Sequence, residues 1–213
     1  MKNCNIIFFI FLSLLALNAK ALVTIDITRG NIDPVPIALP DLASDNFTAS
    51  SYARKILSVT EGDLRNSGLF KTLGQELYLQ KIKDINTIPN FNDWKYINAS
   101  ALLTGELDTI SSDNIKVDVR LWDVFSERQI LGKSYSTNKD NWRRVGHLIS
   151  DQIYSRLTGE DGYFDSRVVY ISEQGPATDR EKRLAIMDQD GADHQYLTDG
   201  SNLVLTPRFS PTA

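Results

Sequence analysis

Apolar and polar residues alternate near the start of the chain, with Val23, Ile25 and Ile27 set against Thr24, Asp26 and Thr28 until Gly30 ends the run. A period of two predicts a strand over residues 22–30 with one apolar face. Such a strand satisfies its backbone either within its own sheet or by adding to the edge of another protein's sheet. Next come Pro34, Pro36 and Pro40, spaced among Val35, Ile37 and Leu39, which predict an edge strand because proline cannot donate to a ladder. The period then lengthens. Asp45 is the expected cap of a helix running to about Asn66, with Phe47, Tyr52, Ile56, Val59 and Leu64 inward and Ser67-Gly68 as its stop. Residues 69–73 read as a short apolar strand, 78–88 fit either period, and Pro89 opens a short helical or turn segment around Phe91, Trp94 and Ile97.

From Ala101 onward the signal sharpens. Leu102, Leu103 and Leu107 mark one strand; Ile115, Val117, Val119 and Leu121, alternating with Lys116, Asp118, Arg120 and Trp122, mark a second. Residues 126–128 form a turn and 130–137 a third strand, which completes an antiparallel meander. Asn138 or Asp140 caps a helix with Trp142, Val145, Ile149, Ile153 and Leu157 inward, Arg143, Arg144, Asp151 and Arg156 outward, and Thr158-Gly159 at its end. This order predicts an α/β domain, a mixed sheet with packed helices, over residues 22–160. Beyond Gly162 only strands are expected: 167–172, then 183–188 and 194–197 joined through Asp190-Gly191, then the start of a fourth at 207–211. A few strands without a packing partner are marginal in water. Either this tail packs on the first domain or the chain is the front of something longer, and the second reading is preferred.

Composition narrows the class. The 213 residues are 42% hydrophobic and 23% charged, ordinary for a folded chain, and the net charge of −4 disfavours nucleic acid as a partner. Residues 1–21 have the parts of a secretory signal: Lys2, an apolar run over 6–17, and Ala19 and Ala21 around Lys20, with cleavage expected after Ala21. The run is too short to span a membrane. Cleavage removes the single cysteine, Cys4, and two lysines, leaving an acidic, cysteine-free exported protein.

Candidate chemistry is sparse. His147 and His194 fall in different regions with no metal-ligand spacing, and His147 is expected at a surface or edge. Asp188, Asp190 and Asp193 lack the order of a calcium loop and read as a hairpin turn. Ser210 lacks a nucleophile elbow, and Gly105 and Gly132 are isolated, so no phosphate loop is formed. Asn46 and Asn98 begin short glycosylation patterns of little weight, and the Arg143-Arg144 pair reads equally as a basic patch or a solvated face. No catalytic residues, metal site or cofactor are expected. By elimination the chain is a binding or scaffold protein.

The opening LVTIDITRGNIDPVPIALP, the internal DLRNSGLF (63–70), the helix 142–157 followed by TGEDGYF, and the closing LTDGSN with PRFSP together resemble the TolB family of the Tol-Pal envelope system. The resemblance implies a periplasmic scaffold that links inner-membrane TolA to outer-membrane Pal and supports outer-membrane integrity and invagination during cell division. It also implies a six-bladed β-propeller after the first domain, of which residues 163–213 supply only the first, incomplete portion; Thr212 and Ala213 stand where a blade turn expects Asp-Gly. Whether the chain is a fragment or a complete gene product stays open. Carried over residue by residue, Ile25, Ile27, Thr28 and Gly30, with a looser match at Leu22 and Val23, are the implied TolA contacts. The residues implied for Pal lie mostly beyond Ala213, which leaves Pal a doubtful partner. The alternatives are a propeller-bearing fragment of an exported serine peptidase, whose nucleophile, acid and base would lie beyond Ala213, and an inert truncated product.

Overall fold

The computed structural model describes residues 33–210. Its first part is a six-stranded mixed sheet with strand order β3-β1-β4-β5-β6, where β1 is Val35–Ala38, β3 Phe70–Thr72, β4 Ala101–Thr109, β5 Asn114–Asp123 and β6 Arg128–Asn138; the two-residue β2, Ala43–Ser44, pairs beside β4. The β1, β2 and β3 pairings are parallel, and β4, β5 and β6 form the expected antiparallel meander.

The proline-rich β1 is not at an edge; it lies between β3 and β4. Parallel strands bond to their two neighbours through alternate residues, and here Val35 N donates to Leu69 O and Ile37 O accepts from Leu73 N on the β3 side. Pro36 faces β4 at the place where that strand begins, and its carbonyl accepts from Ser100 N. The missing N–H thus falls opposite the turn that precedes β4, where no ladder bond is interrupted. An interior strand tolerates a proline at that register.

Two helices, α1 (Phe47–Asn66) and α3 (Trp142–Thr158), cover one face of the sheet, and between them and the sheet lie Ile37, Ile56, Leu64, Leu103, Leu107, Val117, Leu121, Ile149 and Ile153. The α1 cap is Asn46, not Asp45: its side-chain oxygen accepts from Ala49 N at 2.8 Å. Ala49, Ala53, Ile56, Thr60 and Asp63 then make the buried stripe. Phe47, two residues before Ala49, is rotated by roughly 200° at 100° per residue onto the opposite face, and it is 82% exposed instead of inward. The helices approach closely because Gly146 of α3 faces Val59 and the Ile56 carbonyl of α1. Thr60 Oγ1 also donates to the Gly146 carbonyl at 3.1 Å. Asn138 caps only a short 3-10 turn, Lys139–Asn141, that leads into α3, and Gly159 ends α3 at φ 82°.

The other face is covered at one end by α2 (Phe91–Tyr96), where Phe91 and Trp94 pack with Ala38, Ile82, Leu102 and Trp122. Trp122 therefore departs from the polar face on which the alternation placed it. It is buried at this end because the sheet has a layer on both sides, and its indole N–H donates to Thr104 Oγ1 at 2.9 Å.

A separate three-stranded antiparallel sheet follows, β7 (Arg167–Gln174), β8 (Glu181–Asp188) and β9 (Gln195–Tyr196), a partial propeller-like sheet. Its β8–β9 turn contains Asp190-Gly191 as expected, with Gly191 at φ 88° donating to Asp188 O. The fourth strand expected from Pro207 is not formed among the described residues, and Leu203, Leu205 and Phe209 are exposed. No helix among the described residues is long and apolar enough to cross a membrane.

Candidate functional site

The six residues implied as TolA contacts, Leu22, Val23, Ile25, Ile27, Thr28 and Gly30, lie outside the described residues. The site the fold does build is at the junction of the two sheets, and it starts from two buried polar groups. Asp63 lies on the inward stripe of α1 and is 1% exposed; His147 of α3 is 2% exposed. His147 is thus buried, not at a surface or edge. The reason is local: Gly146 brings α3 against α1, and the residue next to it is carried into the same contact. His147 Nδ1 and Asp63 Oδ2 are 2.8 Å apart, and the second Asp63 oxygen accepts from Gln189 Nε2 at 3.3 Å. Gln189 follows β8, so this carboxylate joins both helices to the second sheet.

Arg143, expected outward, also turns to the junction. Its guanidinium pairs with Asp190 and lies 3.5 Å from Asp188 Oδ2. Arg167 of β7 approaches the other Asp188 oxygen at 3.6 Å. Two helical turns on, Asp151 is likewise not solvated: its carboxylate accepts from Phe164 N at 2.7 Å and Asp165 N at 3.2 Å, fixing the segment that leads from α3 into β7. Phe164 is buried there against Tyr154 and Tyr163. Arg144 remains largely exposed and pairs with Asp165.

These contacts shift several protonation equilibria. Burial is the largest influence on His147 and pushes it down, but the hydrogen bond and charge of Asp63, with the charge of Asp190, outweigh it and hold the imidazole above its usual range. Burial raises the Asp188 carboxyl, as does Asp193, against the lowering influence of His147, Arg167 and Arg143. Asp151 is raised by burial despite its two backbone donors.

Beside this network is a polar cleft of ≈ 430 Å³, lined by Arg143, His147, Phe164, Arg167, Asp188 and Asp193 among others. Asp63, His147 and Asp190 offer ligand atoms within 4.8 Å of one another, yet Arg143 already neutralises Asp190 and Asp63 is engaged by His147 and Gln189, so the arrangement is that of an ion-pair network. An Asp-His pair also begins a hydrolase triad, but the group facing His147 Nε2 is the Asp188 carboxylate at 3.9 Å, which cannot serve as the hydroxyl nucleophile. What the network does is hold two sheets together. A sequence signal for it existed: Arg143, His147 and Ser150 recur at helical spacing beside the apolar stripe, and Asp63 falls on the buried stripe of α1.

The fold has counterparts among known proteins. Residues 23–130 match a model of the TolB amino-terminal domain, and residues 154–213 match one of the TolB β-propeller domain. The chain is 49% identical over 197 residues to the Tol-Pal system protein TolB of Paramagnetospirillum magneticum, covering 92% of this chain and 44% of that one. It is 47% identical to the protein of the same name from Pelagibacter ubique, covering 96% of this chain and 48% of that one. The chain therefore spans about half the length of these curated relatives. Among solved structures, TolB from Acinetobacter baumannii superimposes with a TM-score of 0.65 at 28% identity, over 81% of this chain and 40% of that one. With a mixed α/β sheet under two helices, a partial propeller sheet joined to it, and both TolB models matched in order, the chain belongs to the TolB family.

Proposed function

We propose that the protein is a periplasmic scaffold of the Tol-Pal system, which links inner-membrane TolA to outer-membrane Pal and supports outer-membrane integrity and invagination during division. The observation that supports this reading is the succession of the two TolB matches along one chain, with relatives named Tol-Pal system protein TolB at 47% and 49% identity. In this reading residues 1–21 direct export and are removed, 22–160 form the first domain, and 163–213 belong to the first blade. The protein acts by binding, without catalysis, and the serine-peptidase alternative finds no support in these matches.

Leu22, Val23, Ile25, Ile27, Thr28 and Gly30 form the TolA-binding segment, whose alternating side chains suit addition to a sheet edge. Pal would be met mainly through propeller surface that the matched relatives carry and this chain spans only in part. Calorimetric titration of a TolA carboxy-terminal domain into the chain from Leu22, and into a chain starting at Asn31, tests the segment. Binding is expected only with residues 22–30 present, and equal binding by both chains would remove the assignment.

A further inference from the structure

We propose that Asp63, His147 and Asp188 form a proton-controlled clasp, in which the imidazolium holds β8 against α1 and α3 and the neutral ring lets that contact loosen. One atom of the His147 ring is unpartnered. His147 Nε2 is buried and has no hydrogen-bond partner, while the other ring nitrogen is bonded to Asp63. A neutral ring that donates from Nδ1 to Asp63 leaves a lone pair on Nε2. That lone pair faces the Asp188 carboxylate at 3.9 Å, acceptor against acceptor. Protonation turns Nε2 into a donor, and an approach of roughly 1 Å brings the pair into the range of a charge-assisted hydrogen bond.

Asp63 and His147 belong to the first domain and Asp188 to the second sheet, so the proton decides a bond between the two parts. The charges around the ring come from every packed element: Asp63 from α1, Arg143 from α3, Arg167 from β7, and Asp188, Asp190 and Asp193 from β8 and the turn after it. Arg143 disfavours the imidazolium, whereas Asp63 and Asp190 favour it, and the balance lies above the ordinary histidine range. A raised folded value means that the stabilisation is complete below the unfolded value of about 6.5 and is lost as pH rises through the folded one. One contact across the junction is indifferent to this proton, Gln189 Nε2 to Asp63. Gln189 N donates to Ser166 O at 3.1 Å, which extends the β7–β8 ladder past Arg167 and Asp188, and this is the bond that opens when β8 loosens from the helices. Release is therefore a loosening of the junction, without separation of the two parts.

The test is amide hydrogen exchange of the full chain between pH 6 and 9, corrected for the intrinsic rate and read at Gln189. Protection is expected to fall about tenfold as pH rises, equivalent to about 1.4 kcal/mol, with a midpoint above the ordinary histidine value. Core amides at Leu103 and Val119 should keep their protection throughout. His147→Gln should abolish the pH dependence. Asp188→Ala, which leaves the buried Asp63–His147 pair intact and so retains the first domain, should abolish it as well. Unchanged wild-type protection at Gln189 would overturn the proposal; so would Asp188→Ala retaining the wild-type pH dependence, since the proton would then act within the first domain alone.

Discussion

Two glycines in the paired helices give opposite expectations for the same substitution. Gly62 of α1 and Gly146 of α3 are both helical, and replacing an interior helical glycine by alanine favours the helix by about 1 kcal/mol. At Gly62 a new Cβ meets nothing within 4 Å, so Gly62→Ala should stabilise by up to about 1 kcal/mol. At Gly146 it would sit 2.8 Å from Val59 Cβ, 2.9 Å from Val59 Cγ1 and 3.1 Å from the Ile56 carbonyl. The nearest of these is held directly by the α1 backbone and cannot swing aside, so the helices must part. Overpacking of this kind costs about 1–3 kcal/mol, and separation also weakens the buried bond from Thr60 Oγ1 to the Gly146 carbonyl, a further ~1 kcal/mol. Set against the propensity gain, Gly146→Ala should destabilise by about 2 kcal/mol, a fall in Tm of about 4–8 °C for a chain of this size. Thermal unfolding of the two variants by circular dichroism measures the contrast. A Gly146→Ala chain as stable as Gly62→Ala would refute the close helix contact on which the placement of His147 depends.

Other expectations follow from single contacts. Asn46→Ala should cost about 1 kcal/mol through the lost cap on Ala49 N, while Asp45→Ala should change little; chemical denaturation of both assigns the cap. Thr104→Val should leave the buried Trp122 indole N–H without its acceptor and cost about 1–3 kcal/mol by the same measurement. Gly159→Ala places a side chain at φ 82°, in open space, and should cost about 1 kcal/mol from backbone strain alone, read as a shift in Tm.

Much of the first domain was legible in the chain. The meander over β4 to β6, α3 with its Gly159 stop, and the Asp190-Gly191 turn all follow from period and turn chemistry, which are local properties. The Phe47 and Asp45 misses are local, a matter of where the helix begins, but the others share a cause, because each depends on what packs from elsewhere. Proline at position 36 argued for an edge, but the argument turns on which neighbour its nitrogen faces, and that is set by where β4 begins. The alternation put Trp122 with the polar positions of β5, and its burial follows from the second layer that α2 supplies. Arg143 and Asp151 read as a solvated helix face because their partners, Asp188, Asp190 and the backbone of Phe164 and Asp165, lie in the second sheet and the segment leading to it. His147 failed for the same reason: a charged or polar group on a helix is informative only once the opposing surface is known. The family resemblance, by contrast, rested on whole stretches of side chains and was matched by both domain models.

The scaffold reading depends on one short stretch of backbone, residues 22–30. Its most direct test is titration of the isotopically labelled chain from Leu22 with a TolA carboxy-terminal domain, followed by nuclear magnetic resonance. The account predicts that amide signals of residues 22–30 shift or broaden first and most, centred on Ile25 and Ile27, while those of β4 and β5 stay in place. Binding that perturbs other residues and leaves 22–30 unchanged, or no binding at all, would contradict it.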